Sequence, residues 1–98
     1  APIEVEECLM AHAAVSLAAV IGVEDADLVK PKAFVVLRHG FDPSDELAQE
    51  LKNHVLGILS KHKYPREIEF VSDVPKNDRG KVDRKALRAL EQEKRGSR

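Results

Sequence analysis

The stretch PKNDRGKVDRKAL, residues 75–87, contains the residues best suited to chemistry. Gly80 and Lys81 lie in a polar loop immediately before a segment with a helical pattern. A lysine at that point faces the positive end of a helix dipole, which is slightly unfavourable. A loop that carries a cation to a phosphate on another molecule would nevertheless require it. By charge alone, Lys81 is more simply one of the 12 Lys and Arg residues in positions 61–98, a solvated side chain without a special role.

The two parts of the chain carry opposite net charges. Residues 1–60 contain 4 Lys and Arg against 10 Asp and Glu, a net charge of −6, whereas residues 61–98 contain 12 against 7, a net charge of +5. An anionic partner for the basic part and a solvated basic helix account for this asymmetry equally well. The pI of 6.5 and the aromatic content of 4% weigh against nucleic acid as that partner.

Length and composition indicate one small soluble domain. A chain of 98 residues hides only about two-thirds of its unfolded surface, so a deep private ligand cavity is not expected. The apolar runs are too short to cross a bilayer, and the first residues are acidic rather than arranged as a signal peptide. We therefore expect a cytoplasmic protein with no membrane partner.

Cysteine and histidine provide no chemistry of their own in this sequence. Cys8 is the single cysteine, which excludes an internal disulfide, and its place on an apolar helix face predicts a buried thiol rather than a nucleophile. The four histidines have no metal-ligand spacing, so no metal site is predicted. A Walker-type phosphate loop is also missing.

Hydrophobic periodicity predicts an α+β fold, a small three-stranded sheet with helices packed on it, in the order α-β-β-α-β-α. The elements are a helix over 3–12, an antiparallel hairpin of strands 14–23 and 32–39 with a wide turn between them, a helix over 41–62, a strand over 66–72 and a helix over 83–95. Residues 96–98 are expected to fray, and the pattern does not determine the order of the strands.

Local signals add detail to these elements. The helix over 41–62 has two candidate caps and an apolar stripe: Asp42 or Ser44, then Leu47, Leu51, Val55, Ile58 and Leu59. In the strand over 66–72, Ile68 and Phe70 face one side. The last helix has Asp83 as its predicted cap and Leu87 to Leu90 as its predicted apolar face.

Three segments resemble one known family: LVKPKAFVVL, KYPREIEFV and VPKNDRGKVDRKALR. They are similar to the C-terminal domain of the adenylate-forming enzymes, which include acyl- and aryl-CoA synthetases, peptide-synthetase adenylation domains and luciferase. The ordered pattern Pro-x(4)-Gly-Lys-x-x-Arg-x-x-Leu is specific, and the resemblance covers residues 1–90. It implies that residues 1–95 form a C-terminal lid domain and that the N-terminal catalytic domain is absent from this chain.

The resemblance also implies a mechanism. In this family a carboxylate attacks the α-phosphate of ATP to give an acyl-adenylate, the lid then rotates, and coenzyme A takes the acyl group. Lys81 corresponds to the cation that stabilises charge in the first step, and the loop is supported by Gly80, Pro75 and Arg84. The implied cofactors are ATP, Mg and CoA, bound mainly by the N-terminal domain, so the isolated chain is expected to be inactive.

Further residues and partners follow from the same resemblance. The CoA nucleotide would contact Lys61, Lys63, Tyr64 and Arg66, although a basic strand entrance beside Pro65 explains these residues as well. The variant VKPKAF favours an aryl acid, such as benzoate or a hydroxybenzoate, as substrate. A lysine acyltransferase acting on Lys81 would remove its charge and stop the first step.

Two other functions fit the sequence. The segment GKVDRKAL also occurs in the adenylation domains of nonribosomal peptide synthetases, although the carrier domain that normally follows is not part of this chain. A non-catalytic module that binds an anion with its basic face is the alternative from a different class.

Overall fold

The computed structural model describes residues 2–25, 28–59 and 64–96. It contains three helices and three strands in the order α1 (Pro2–Met10), β1 (Val15–Asp25), β2 (Leu28–Leu37), α2 (Asp45–Ile58), β3 (Glu67–Phe70) and α3 (Arg84–Gly96). The predicted α+β class and element order are confirmed. Residues 97–98, at the end of the predicted tail, lie outside the described residues, as do residues 60–62 of the predicted second helix.

The three strands form one mixed sheet in the order β1-β2-β3. Strands β1 and β2 are antiparallel and pair from Val15 with Leu37 to Asp25 with Leu28. Strands β2 and β3 are parallel over a short register from Lys32 with Glu67 onward. The chain therefore crosses over one face of the sheet between β2 and β3, and α2 lies in that crossover.

The wide turn predicted between the first two strands is wrong. Strand β1 continues to Asp25 and β2 already begins at Leu28, with Pro31 inside the strand. The carbonyl of Pro31 accepts a hydrogen bond of 3.0 Å from the Arg66 N–H, so its backbone polar groups point toward β3 and away from β1. The N–H that proline lacks is thus not needed for the β1–β2 ladder, and Pro31 does not end the strand.

Both faces of the sheet are buried. On one face α1 and α2 pack over a cluster that includes Leu9, Val20, Val35, Leu51 and Val55, with Ile68 and Phe70 of β3 at its edge as predicted. On the other face α3 and the segment before it cover a second cluster of Ala19, Ile21, Val23, Phe34, Val74 and Leu87. Burial on both faces explains why β1 is almost continuously apolar instead of alternating.

Helix α2 is shorter than predicted. Ser44 is its N-cap, and its hydroxyl oxygen accepts a hydrogen bond of 3.0 Å from the Leu47 N–H. Leu51 and Val55 are fully buried as expected, but Ile58 is 61% exposed. The helix ends at Ile58, and the next residue, the C-cap Leu59, packs on the buried cluster instead.

The predicted apolar face of α3 also needs correction. Leu87 is buried, but Leu90 is 56% exposed. The residue that faces the sheet one turn after Leu87 is Glu91, which is 4% exposed. The prediction from apolar residues was wrong because the second half of the buried face of α3 consists of charged side chains.

No helix among residues 2–25, 28–59 and 64–96 combines the length and the apolar character needed to cross a bilayer.

Candidate active site

The predicted polar loop before α3 is a small β-hairpin. Its two arms meet in a bridge between Lys76 and Val82, and the Asn77 N–H donates a hydrogen bond of 2.8 Å to the Lys81 carbonyl. At its base the Asp83 N–H donates one of 2.9 Å to the carbonyl of Pro75. We call residues 75–83 the lysine hairpin. Backbone hydrogen bonds thus join the two arms of the hairpin at Lys81 and at Asp83.

Asn77 and Gly80 determine the shape of the hairpin tip. The Gly80 N–H donates to the Asn77 carbonyl at 2.9 Å, and Gly80 has a φ of +79°. A turn followed by a left-handed glycine is a common three-residue hairpin loop. The side-chain oxygen of Asn77 accepts further hydrogen bonds from the N–H groups of Arg79 (2.9 Å) and Lys81 (3.1 Å). The tip is therefore held by side-chain as well as backbone contacts.

The side chain of Lys81 is exposed, and within the described residues it has no hydrogen-bond or ion-pair partner. Asp78, one of the nearest carboxylates along the chain, makes no ion pair within the same residues. Four other cations of this basic part are held by carboxylates: Lys76 by Asp73, Arg84 by Glu6, Lys94 by Glu69, and Arg95 by Glu67 and Glu91. A rigid hairpin thus presents an ammonium group that is available to an anion outside this domain.

A partly buried ion pair anchors the base of the lysine hairpin. Arg84, the first residue of α3, donates from Nε to Glu6 Oε2 at 2.8 Å and from its terminal nitrogen to Glu6 Oε1. The Val20 N–H donates to the same Oε2 at 2.8 Å. The hydrogen bonds from Arg84 to Glu6 raise the pKa of Arg84 above its ordinary value, so the guanidinium stays charged. Glu6 in turn is 5% exposed and lies on α1.

The family resemblance implied that Arg84 supports the lysine loop, and in the structure Arg84 anchors α3 to α1 and, through Glu6, to β1. Glu6 itself was missed. Its signal was weak: it is one turn before the buried Leu9, where an acidic side chain lies at the margin of the apolar stripe. A carboxylate in such a position is almost never buried without a partner, but the sequence does not say that the partner is 78 positions away.

A second group of charges holds the other half of α3. The ammonium of Lys32, on β2, donates to Glu69 at 2.9 Å and to Glu91 at 2.7 Å. Arg95 bridges Glu91 and Glu67, at 2.7 Å and 2.8 Å. Lys32 also lies 4.8 Å from the centre of the Phe34 ring, in a cation–π contact. These ion pairs replace an apolar face for the last turns of α3.

The residues predicted to contact CoA are not all placed by the structure. Lys61 and Lys63 lie outside the described residues. Tyr64 is half-buried and packs against the cluster under α1 and α2, whereas the Arg66 side chain is exposed. Among the described members of this group, Arg66 is therefore the one whose charge points to solvent.

Comparison with known proteins identifies one family. Residues 4–81 match the family model for the AMP-binding enzyme C-terminal domain. Benzoate–CoA ligase from Thauera aromatica is 54% identical over 89 residues, which cover 90% of this chain and 17% of that protein. 4-Hydroxybutyrate–CoA ligase 1 from Metallosphaera sedula is 48% identical over 97 residues, which cover 96% of this chain and 17% of that protein.

The fold agrees with these matches. A solved benzoate CoA ligase from Burkholderia xenovorans LB400 superimposes with a TM-score of 0.86 at 54% identity, over 89% of this chain and 18% of that structure. The chain thus spans less than a fifth of the length of each of these relatives.

The conformation of Gly80 leads to a prediction with a built-in control. We expect Gly80→Ala to lower the free energy of unfolding by about 1 kcal/mol, because a side chain makes the left-handed conformation unfavourable. The space around Gly80 is open, so no steric clash adds to this cost. Gly57→Ala, in helix α2 and also in open space, should instead leave stability unchanged or raise it by up to about 1 kcal/mol. Urea denaturation of both variants measures the difference, and the same sign in both would contradict the turn geometry.

The charges under α3 predict a dependence of stability on pH. Burial by itself would raise the pKa of Glu91, but hydrogen bonds from Lys32 and Arg95 outweigh it, and the pKa lies below the ordinary value of 4.5. Because the pKa is lowered in the folded state, Glu91 stabilises the fold above pH 4.5, and this contribution is lost as the pH falls through the lowered pKa.

Glu91→Gln removes that titration. We therefore expect the variant to be less stable than the parent at pH 7 and to lose less stability between pH 5 and the acid limit, as measured by urea denaturation at a series of pH values. Glu46→Gln, at an exposed position in α2, serves as the control. An acid-induced loss for Glu91→Gln as large as that of the parent would show that Glu91 does not contribute.

Proposed function

Because this chain belongs to the family of AMP-binding enzyme C-terminal domains, we propose that it is the C-terminal domain of a carboxylic acid–CoA ligase. In the first reaction a carboxylate oxygen attacks the α-phosphorus of ATP, the bond to the β-phosphate oxygen breaks, and pyrophosphate leaves. In the second, the sulfur of CoA attacks the acyl carbon, AMP leaves, and the thiol proton is lost to the surroundings. The two steps give a thioester, AMP and pyrophosphate.

The observation that carries this proposal is the exposed Lys81 on its hydrogen-bonded hairpin, without an ion-pair partner among residues 2–25, 28–59 and 64–96. A carboxylate and a triphosphate repel each other, and negative charge accumulates on the phosphoryl oxygens during transfer. A positioned cation lowers that barrier, because it stabilises charge in a site from which water is excluded. Lysine suits the task, since its ammonium is a compact point charge on a flexible stem.

The second step needs the same cation to leave. We propose that the domain rotates between the steps and withdraws Lys81 from the adenylate, which is gating by domain movement. Within the described part of the chain the Lys81 side chain forms no ion pair. No internal ion pair therefore has to break when Lys81 binds the phosphate or form again when it leaves. In this proposal the whole lysine hairpin moves together with the rest of the domain.

ATP, Mg and CoA are the substrates and metal of this proposed reaction. Following the family resemblance, we assign ATP and its Mg to a preceding N-terminal domain. For CoA we propose the segment with Lys61, Lys63, Tyr64 and Arg66. The exposed guanidinium of Arg66 fits a phosphate contact, and the packed ring of Tyr64 fixes the strand entrance.

We further propose an aryl acid, such as benzoate or a hydroxybenzoate, as substrate. The relative at 54% identity is a benzoate–CoA ligase, whereas the one at 48% is a 4-hydroxybutyrate–CoA ligase. The acid would bind outside this chain, so the test belongs to the longer enzyme. A kcat/KM for 4-hydroxybutyrate equal to or above that for benzoate and 4-hydroxybenzoate would contradict the aryl assignment.

The role of Lys81 predicts a selective loss. In the full-length enzyme, Lys81→Ala should lower acid-dependent pyrophosphate release by about 100- to 1000-fold, the usual cost of one positioned electrostatic group. The same variant should still convert a supplied acyl-adenylate and CoA to the thioester at near the parent rate.

Lys85→Ala is the matched control, because Lys85 is an exposed lysine four positions away. It should leave both reactions close to those of the parent. Near-parental pyrophosphate release by Lys81→Ala, or an equal loss in both reactions, would remove Lys81 from the chemistry of the first step.

A further inference from the structure

We propose that Glu6 is a positioning residue for the first reaction: through Arg84 it fixes the point from which the lysine hairpin leaves the domain. This inference rests on the proposed function, because it concerns the placement of Lys81 at the reacting phosphate. Glu6 is buried inside the domain, and it acts through contacts with Val20 and Arg84.

The Glu6 carboxylate lies where three parts of the fold meet. It belongs to α1, it accepts a hydrogen bond from the backbone of Val20 in β1, and it forms a two-point ion pair with Arg84 at the start of α3. A two-point contact between a carboxylate and a guanidinium fixes orientation as well as distance. The direction of the first turn of α3 is therefore set by a group on α1.

A short series of contacts leads from Arg84 to Lys81. Asp83 lies between α3 and the hairpin: its carboxylate accepts a hydrogen bond of 3.0 Å from the Ala86 N–H, and its own N–H donates to Pro75. The bridge between Lys76 and Val82 follows immediately, and Lys81 is the next residue. Only two residues separate Arg84 from Lys81: Asp83 is hydrogen-bonded, and Val82 lies between the two backbone hydrogen bonds that join Asp83 to Pro75 and Asn77 to Lys81. A change in the orientation of Arg84 should therefore also shift the position of Lys81.

Glu91 provides a matched comparison within the same helix. It is buried to the same degree as Glu6, 4% exposed against 5%, and it also anchors α3 through cations. Its contacts, however, join α3 to Lys32 of β2 and, through Arg95, to Glu67 at the start of β3 rather than to the hairpin. If these carboxylates served only stability, their loss would affect the two reactions alike.

The experiment compares both half-reactions in the full-length enzyme for Glu6→Gln, Glu91→Gln and Lys81→Ala. The readout is the ratio of acid-dependent pyrophosphate release to thioester formation from supplied acyl-adenylate. Misplacement of a catalytic group by about 1 Å costs as much as about 100-fold in rate. We expect Glu6→Gln to lower the ratio by about 10- to 100-fold and Glu91→Gln to leave it within about twofold of the parent.

Arg84→Lys decides the question if Glu6→Gln does not fold. It keeps a cation beside Glu6 but loses the fork of donors that fixes direction, and one-third of the Arg84 side chain is already exposed, so a lysine is tolerated. It should lower the ratio in the same way. An unchanged ratio in the folded variants, or an equal drop for Glu91→Gln, overturns the positioning role of Glu6. A Lys81→Ala variant with a normal ratio would instead overturn the proposed function itself.

Discussion

The ion pair between Glu6 and Arg84, which are 78 positions apart in the chain, joins α1 to α3. The point from which the lysine hairpin leaves the domain depends on this pair. Two charges at the margin of a core lose hydration, so such a pair adds little net stability compared with apolar residues. It does fix the orientation of the Arg84 side chain, because both oxygens of the Glu6 carboxylate accept hydrogen bonds, one of them from two donors. The pair is better understood as a device that orients α3 than as one that holds the protein together.

The same pair resolves an electrostatic conflict at the start of α3. Lys81 and Arg84 both lie near the positive end of a helix dipole, where cations are unfavourable. Asp83 caps the helix there, and the Glu6 carboxylate neutralises Arg84. The helix start is thus compensated by Asp83, and the charge of Arg84 is compensated by Glu6, whereas Lys81 has no ion pair in the described part of the chain. The proposed function assigns an external phosphate to this charge as its partner.

Sequence patterns predicted the parts of the fold that local interactions determine. Ser44 was identified as a candidate cap because a hydroxyl before an apolar helical stripe has one obvious use, and Ile68 and Phe70 alternate as a strand requires. The order of Pro75, Gly80, Lys81, Arg84 and Leu87 made Lys81 a candidate through family resemblance, although its charge alone did not distinguish it from other lysines. The structure adds that this segment is a hairpin, since Asn77 and Gly80 are the residues such a turn selects.

Features that depend on distant contacts were missed for a physical reason. Leu90 was assigned to the core because apolar residues usually face inward, yet Glu91 takes that place, because Lys32, 59 positions away, meets its charge. The wide turn was overestimated because the second strand was predicted to begin at residue 32, just after Pro31, whereas the nitrogen of Pro31 faces away from β1 and the strand begins at Leu28. In each case the deciding group belongs to another element, so no local pattern contains the signal.

Chemical replacement of the charge at position 81 tests the central claim most directly. In full-length Lys81→Cys, the thiolate displaces bromide from 2-bromoethylamine and carries an ammonium close to the position of the original one, whereas iodoacetamide adds a neutral group. Lys81→Ala treated with both reagents controls for other cysteines, and Cys8 is buried. The account predicts that pyrophosphate release returns only with the ammonium. Recovery with both adducts, or with neither while the fold is intact, would contradict it.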